Sequence, residues 1–193
     1  TLLSLQAFGQ GPSHFTIGEE ALADIHIYDL YHDEEQVYWV ASNNGVYKYD
    51  GYDFILMECS EMVSHSVFYL CGNGQGSVFC NNLNGQIFEL KNDTCSLYLQ
   101  IPDSLMYHQI VMGIDFDGAI TFATKGLYRV EANKAITELI PQDVSNSFSG
   151  SLMKNHEDEM TLFNGRTEQV IYIKNGSMRY ESYPGAEYLY FMK

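Results

Sequence analysis

Two acidic clusters headed by histidine are the first candidates for chemistry, His32-Asp33-Glu34-Glu35 and His156-Glu157-Asp158-Glu159. Imidazole beside carboxylates can hold a metal or pass a proton. Both clusters fall between alternating apolar runs, and hydrated hairpin tips account for them at lower cost. Asp115-Phe116-Asp117-Gly118 opens like a calcium loop, but the later oxygen ligands and the terminal glutamate are missing, so it reads as a turn. Ser149-Gly150-Ser151 is a loop and not a nucleophile elbow. Gly72-Asn73-Gly74-Gln75-Gly76 joins two strands and opens no helix, so it is no phosphate cradle. Nothing singles out a carboxylate pair for glycoside hydrolysis. The remaining polar set is Asn43, Asn44, Asn82, Asn84, Lys125 and Arg166. Amides with a few cations suit hydroxyl-rich or carboxylate-bearing sugars, which is binding and not catalysis, although turn propensity also favours asparagine at such places. No metal and no cofactor are expected.

The elements that position these residues recur. VYWVASNNGVYKYDGYDF, from Val37 to Phe54, reads as two strands and the start of a third, with Asn43-Asn44-Gly45 and Asp50-Gly51 as turns. Aligned on Gly45, further copies centre on Gly85, Gly126 and Gln169, at steps of 40, 41 and 43 residues. Six residues before the centres stand Trp39, Phe79, Ile120 and Phe163, and two residues after stand Tyr47, Ile87, Tyr128 and Ile171. Large side chains are therefore expected at the same two places in each unit. A four-strand repeat of this length predicts an all-β fold, a β-propeller of about four blades plus part of a fifth. The expected bounds are a lead-in at 1–18, blades at about 24–60, 66–100, 109–140 and 150–183, and the start of another blade at 186–193. A chain that stops inside a blade is expected to be a piece of a longer one or to self-associate, because an open end leaves an unpaired sheet.

The six polar residues fall on the turns between second and third strands. In a propeller these turns share a rim with the blade-to-blade connections, where ligands commonly bind. Asn92-Asp93-Thr94 and Asn175-Gly176-Ser177 match a glycosylation sequon, but both occupy third turns, and turn chemistry explains them.

Composition narrows the partners. The 193 residues are 46% hydrophobic, with fifteen Tyr and eleven Phe against one Trp, and carry a formal charge of −15. Such a surface repels phosphate backbones and anionic bilayers, which disfavours nucleic acid. No apolar run reaches the ~20 residues of a membrane helix. The first residues lack a basic leader, which fits a signal already removed. Cys59, Cys71, Cys80 and Cys95 show no metal spacing. Cys71 and Cys80 flank one hairpin turn, where a direct cross-strand disulfide has poor geometry, so free thiols are expected.

The first unit carries a resemblance. Asp33, Val37 to Ala41, Gly45-Val46-Tyr47, Tyr49-Asp50-Gly51 and Phe54 resemble the two-component regulator propeller repeat, and Gly126-Leu127-Tyr128 keeps part of it. Gln86 stands where that pattern has leucine, and the fourth unit lacks the glycine. The resemblance implies the periplasmic sensor portion of a histidine kinase or hybrid two-component system, responding to carbohydrate breakdown products and followed by a kinase that this chain does not contain. The alternatives are a polysaccharide-cleaving propeller enzyme and a protein-interaction scaffold.

Overall fold

The computed structural model describes residues 17–18, 20–107, 110–140, 152–154, 159–164, 169–174 and 177–182. The lead-in up to residue 16, the strand expected at 186–193, Arg166 and the cluster His156–Asp158 lie outside them. Among the described residues, sixteen strands form four antiparallel sheets, each an up-and-down meander. Blade 1 is β1 (Ile27–His32), β2 (Tyr38–Ser42), β3 (Gly45–Tyr49) and β4 (Phe54–Leu56). Blade 2 is β5 (Val67–Gly72), β6 (Val78–Asn82), β7 (Gln86–Lys91) and β8 (Thr94–Gln100). Blade 3 is β9 (Val111–Ile114), β10 (Ile120–Ala123), β11 (Leu127–Val130) and β12 (Ile136–Ile140). Blade 4 is β13 (Leu152–Lys154), β14 (Met160–Asn164), β15 (Gln169–Lys174) and β16 (Ser177–Ser182). The first strands β1, β5, β9 and β13 are successive neighbours, as the inner strands of a propeller must be. The chain is thus an all-β propeller fold.

The sheets of blades 2 and 3 are apolar on both faces because each face meets a neighbouring blade. Trp39, Ala41 and Val46 pack against Val78, Cys80 and Phe88 of blade 2. Phe79 and Ile87 on the other face of blade 2 meet Ile120, Phe122 and Tyr128 of blade 3. Ala123 and Leu127 meet Leu162 and Ile171 of blade 4. Each such side chain contributes about 1.5–3 kcal/mol on burial, so these wedges and not the turns hold the ring sector together.

Alignment on glycine misplaces the repeat. Trp39 faces the following blade, whereas Ile120 faces the preceding one. Ile87 faces blade 3, whereas Tyr128 and Ile171 face back toward blades 2 and 3. The recurring apolar positions therefore do not share a face. The reason is turn length. Ala41 pairs with Val46, Asn81 with Ile87 and Ala123 with Leu127, so the spacing across the turn is five, six and four residues. Side chains alternate with period two, so a one-residue slip moves a strand's whole set to the opposite face.

The constant landmark is the turn between first and second strands. Asp33 Oδ1 accepts the Glu35 and Val37 N–H groups, Asn73 Oδ1 those of Gln75 and Ser77, and Asp115 Oδ1 those of Asp117 and Ala119. One short oxygen closes the same five-residue turn three times. Counting six residues on from it reaches Trp39, Phe79 and Thr121, which all face the following blade. The Asp115 turn is the plain turn expected of it.

The cysteines divide. Cys71 and Cys80 are free, as expected. Burial pushes the Cys80 thiol up, so it stays protonated. Cys59 and Cys95 form a disulfide, so free thiols hold for one pair of the four cysteines and not for the other. The two lie 36 residues apart, on the connection after blade 1 and on the outer strand of blade 2, and only the ring closure of neighbouring blades brings them together.

Candidate functional site

The rim that carries Asn43, Asn44, Asn82, Asn84 and Lys125 is built from turns and connections that grip each other. At blade 2, Asn82 is fully buried and its Oδ1 accepts the Asn84 and Gln86 N–H groups at 3.0 and 3.1 Å. Its Nδ2 donates to Gln86 Oε1 at 2.8 Å and to the Ser64 carbonyl at 3.2 Å. Gln86, 4% exposed, completes the clamp: Oε1 accepts the Val63 N–H and Nε2 donates to the Glu61 carbonyl, both at 2.9 Å. Two amides thus hold the entering connection 61–64. A buried amide is stable only when its hydrogen bonds are made, and here they are.

The pattern repeats with different atoms. At blade 1, Asn43 Oδ1 accepts the His26 N–H at 2.9 Å, while the Asn43 N–H donates to the His26 carbonyl at 3.1 Å. At blade 3, Thr124 Oγ1 donates to the Leu105 carbonyl, and Lys125 Nζ reaches the Ser104 carbonyl at 3.4 Å. In each case the turn holds the segment that leads into its own blade. Asn82 and Asn43 therefore position the rim.

What remains to meet a ligand is narrower. Asn44 is exposed and donates from Nδ2 to the Tyr47 hydroxyl at 2.9 Å, which fixes its amide and leaves Oδ1 outward. Asn84 is exposed, with its carbonyl held by Gln100 Nε2 at 2.9 Å. Lys125 is half-buried, with its ammonium group reaching the Ser104 carbonyl. Beside Asn44 opens a cleft of about 450 Å³, whose walls include Met57, Glu58, Ser60 and His65. Its outer wall is the connection that the Cys59–Cys95 disulfide ties down.

The opposite rim is acidic. Between blades 1 and 2 lies a cleft of about 480 Å³ floored by Trp39, whose indole N–H donates to Asp33 Oδ2 at 2.7 Å. Lys48 pairs there with Asp93. Asp33 is thus a turn-closing and indole-binding residue, and His32 stacks on Tyr38 at 4.3 Å. Among the described residues no three His, Cys, Asp or Glu side chains are placed to hold a metal, and no helix is long and apolar enough to cross a membrane.

Sequence reasoning missed Gln86, read as a departure from a leucine pattern, and the Cys59–Cys95 pair. Gln86 had a signal in hindsight, since a glutamine entering an otherwise apolar strand four residues after Asn82 needs a partner.

No protein-family model matches the chain, and no curated protein matches it. Solved structures do. A streptogramin B lyase superposes with a TM-score of 0.70 at 16% identity, over 83% of this chain and 56% of the other. Virginiamycin B lyase from Staphylococcus aureus, crystallised with quinupristin, gives 0.69 at 15% identity, over 85% and 58%. The extracellular domain of a hybrid two-component system from B. thetaiotaomicron gives 0.66 at 16% identity, over 81% and 24%. This chain therefore spans a little over half of the lyases and about a quarter of the sensor domain. At these identities the likeness establishes the fold.

Proposed function

We propose that residues 1–193 are one portion of an extracytoplasmic propeller that senses a small molecule or oligosaccharide for a two-component system, without catalysing a reaction. The observation that carries this reading is the Cys59–Cys95 disulfide, which staples the connection walling the cleft beside Asn44. Disulfides persist in oxidising compartments, which supports a periplasmic place. The overlap with an extracellular sensor domain supports the same reading, with the rest of a longer chain as partner. The proposed ligand contacts are Asn44, Asn84, Lys125 and Arg166, with Asn43 and Asn82 as the supports beneath them. Carbohydrate breakdown products suit this set, since amide oxygens and a cation satisfy hydroxyls and carboxylates without moving protons.

The test is calorimetric titration of the folded chain with neutral and uronic oligosaccharides. The expected result is saturable binding to at least one of them, with Asn44→Ala and Asn84→Ala each weakening it about tenfold at unchanged melting temperature. Turnover of any oligosaccharide, seen as new product masses, overturns the non-catalytic reading. Absence of binding across the panel overturns the carbohydrate assignment.

A further inference from the structure

The connection from blade 1 to blade 2 is pinned almost residue by residue. The Met57 N–H donates to the Val46 carbonyl at 2.8 Å, Cys59 is bonded to Cys95, and the Met62 N–H donates to the Cys59 carbonyl at 3.0 Å. Gln86 and Asn82 hold the Glu61 carbonyl, the Val63 N–H and the Ser64 carbonyl. Even the Glu61 carboxylate is committed, since it accepts the Leu97 N–H of β8 at 3.2 Å. Between these ties stand Glu58, Ser60 and His65. All three are exposed, and none of their side chains has a partner among the described residues.

All three line the cleft of about 450 Å³ beside Asn44. Small-ligand pockets usually measure about 300–1,000 Å³, and a fixed backbone that presents free side chains binds at small entropic cost. The lining decides the ligand. Asn44 Oδ1 and the Glu58 carboxylate accept hydrogen bonds, while Ser60 and His65 can donate or accept. Leu56, Met57 and Met62 supply apolar surface for the C–H face of a ring. Glu58 is the one carboxylate in the lining, and no lysine or arginine stands there to neutralise it. Lys48 is on the opposite rim, paired with Asp93. The formal charge of −15 adds to the attraction for a cation.

We propose that the sugar unit entering this cleft is an amino sugar with a free amine. Its ammonium group pairs with Glu58, and its hydroxyls meet Asn44 Oδ1, Ser60 and His65. A neutral sugar satisfies the same hydroxyl contacts and leaves Glu58 unpaired, so it binds more weakly. A uronate sets a second carboxylate against Glu58 and binds more weakly still. The assignment rests on the carbohydrate-sensing reading above and names the sugar class for this part of the rim.

Four disaccharides decide it, titrated calorimetrically into the full chain: the β-1,4-linked glucosamine dimer, its N-acetylated form, cellobiose and a glucuronate dimer. Saturable binding of the glucosamine dimer is expected, about fivefold tighter than that of cellobiose or the N-acetylated form, with glucuronate the weakest. The Asn44 side-chain amide signals should shift during the titration, which puts the ligand in this cleft. Glu58→Gln is expected to weaken the glucosamine dimer about threefold and to leave both cellobiose binding and the melting temperature unchanged, because Glu58 is exposed and bonds to no other described residue. Glu58→Lys is expected to reverse the order, with glucuronate above glucosamine. Equal binding of the glucosamine dimer and cellobiose, indifference of the glucosamine dimer to Glu58→Gln, or silent Asn44 signals each overturns the amino-sugar assignment and leaves the carbohydrate reading standing. Absence of saturable binding for all four overturns both.

Discussion

The two rims of this propeller use polar residues in opposite ways. On the rim of second-to-third-strand turns, Asn43, Asn82, Gln86 and Thr124 turn inward and bond backbone of the entering connections. On the other rim, Asp33, Asn73 and Asp115 close short hairpins with one oxygen, and Asp33 and Asp115 offer the second oxygen to a side chain reaching in from the sheet, Trp39 and Arg129 respectively. The first rim is a set of clamps between distant segments. The second is a set of local turns above inter-blade clefts. The lesson is that a polar residue on a connection-bearing rim is as readily a strut as a ligand contact, and its burial separates the two.

That contrast can be broken by mutation. The largest loss is expected from Trp39→Ala, which empties the floor between blades 1 and 2 and should cost about 3–5 kcal/mol in urea denaturation. A loss under about 1 kcal/mol would mean that the blade wedge does not depend on the indole. Removing the disulfide by Cys59→Ser with Cys95→Ser should cost about 3–4 kcal/mol from the 36-residue loop, and unreduced denatured protein should titrate as two thiols. Four thiols would exclude the bridge. Gln86→Ala should cost about 2–3 kcal/mol because the Asn82 amide, the Val63 N–H and the Glu61 carbonyl lose their partner together. An exposed residue of the same rim, Asn84, should cost less than about 0.5 kcal/mol as alanine, and equal losses at the two positions would erase the distinction between strut and contact.

The smallest effect is on pH dependence. Burial, with Glu34 next in effect, raises the Tyr31 hydroxyl from its ordinary value to about 12, in the channel-lining strand β1 beside Gly72. A raised folded pKa means that the neutral phenol is favoured by folding. Its contribution is complete below pH 10 and is lost as pH rises toward 12. Tyr31→Phe should therefore flatten the alkaline limb of stability between those values, measured by thermal melts. An unchanged limb would show that Tyr31 ionises freely in the folded chain.

Much of the architecture was legible along the chain. Alternating apolar runs, Asp-Gly and Asn-Gly turns and a step of some forty residues carry the strand count and the propeller class, because these are local signals that recur from blade to blade. The facing of the strands was not legible from glycines, since a turn that gains or loses one residue keeps its glycine and reverses its neighbours. The candidate site was legible in its rim and illegible in its roles. Asn82 and Asn84 look alike in sequence, yet one is buried under Ser64 and Gln86 and the other stands in solvent.

What the amino-acid sequence determined unaided is the blade: its pleat, its turns and its apolar faces, all set within about forty residues by steric and hydrogen-bonding preferences. What only the tertiary structure decided is everything between blades. Cys59 meets Cys95, Gln86 meets Glu61, and Thr121 faces blade 4 across an open cleft. Those contacts depend on the angle at which one twisted sheet leans on the next, a quantity that no local run of residues encodes.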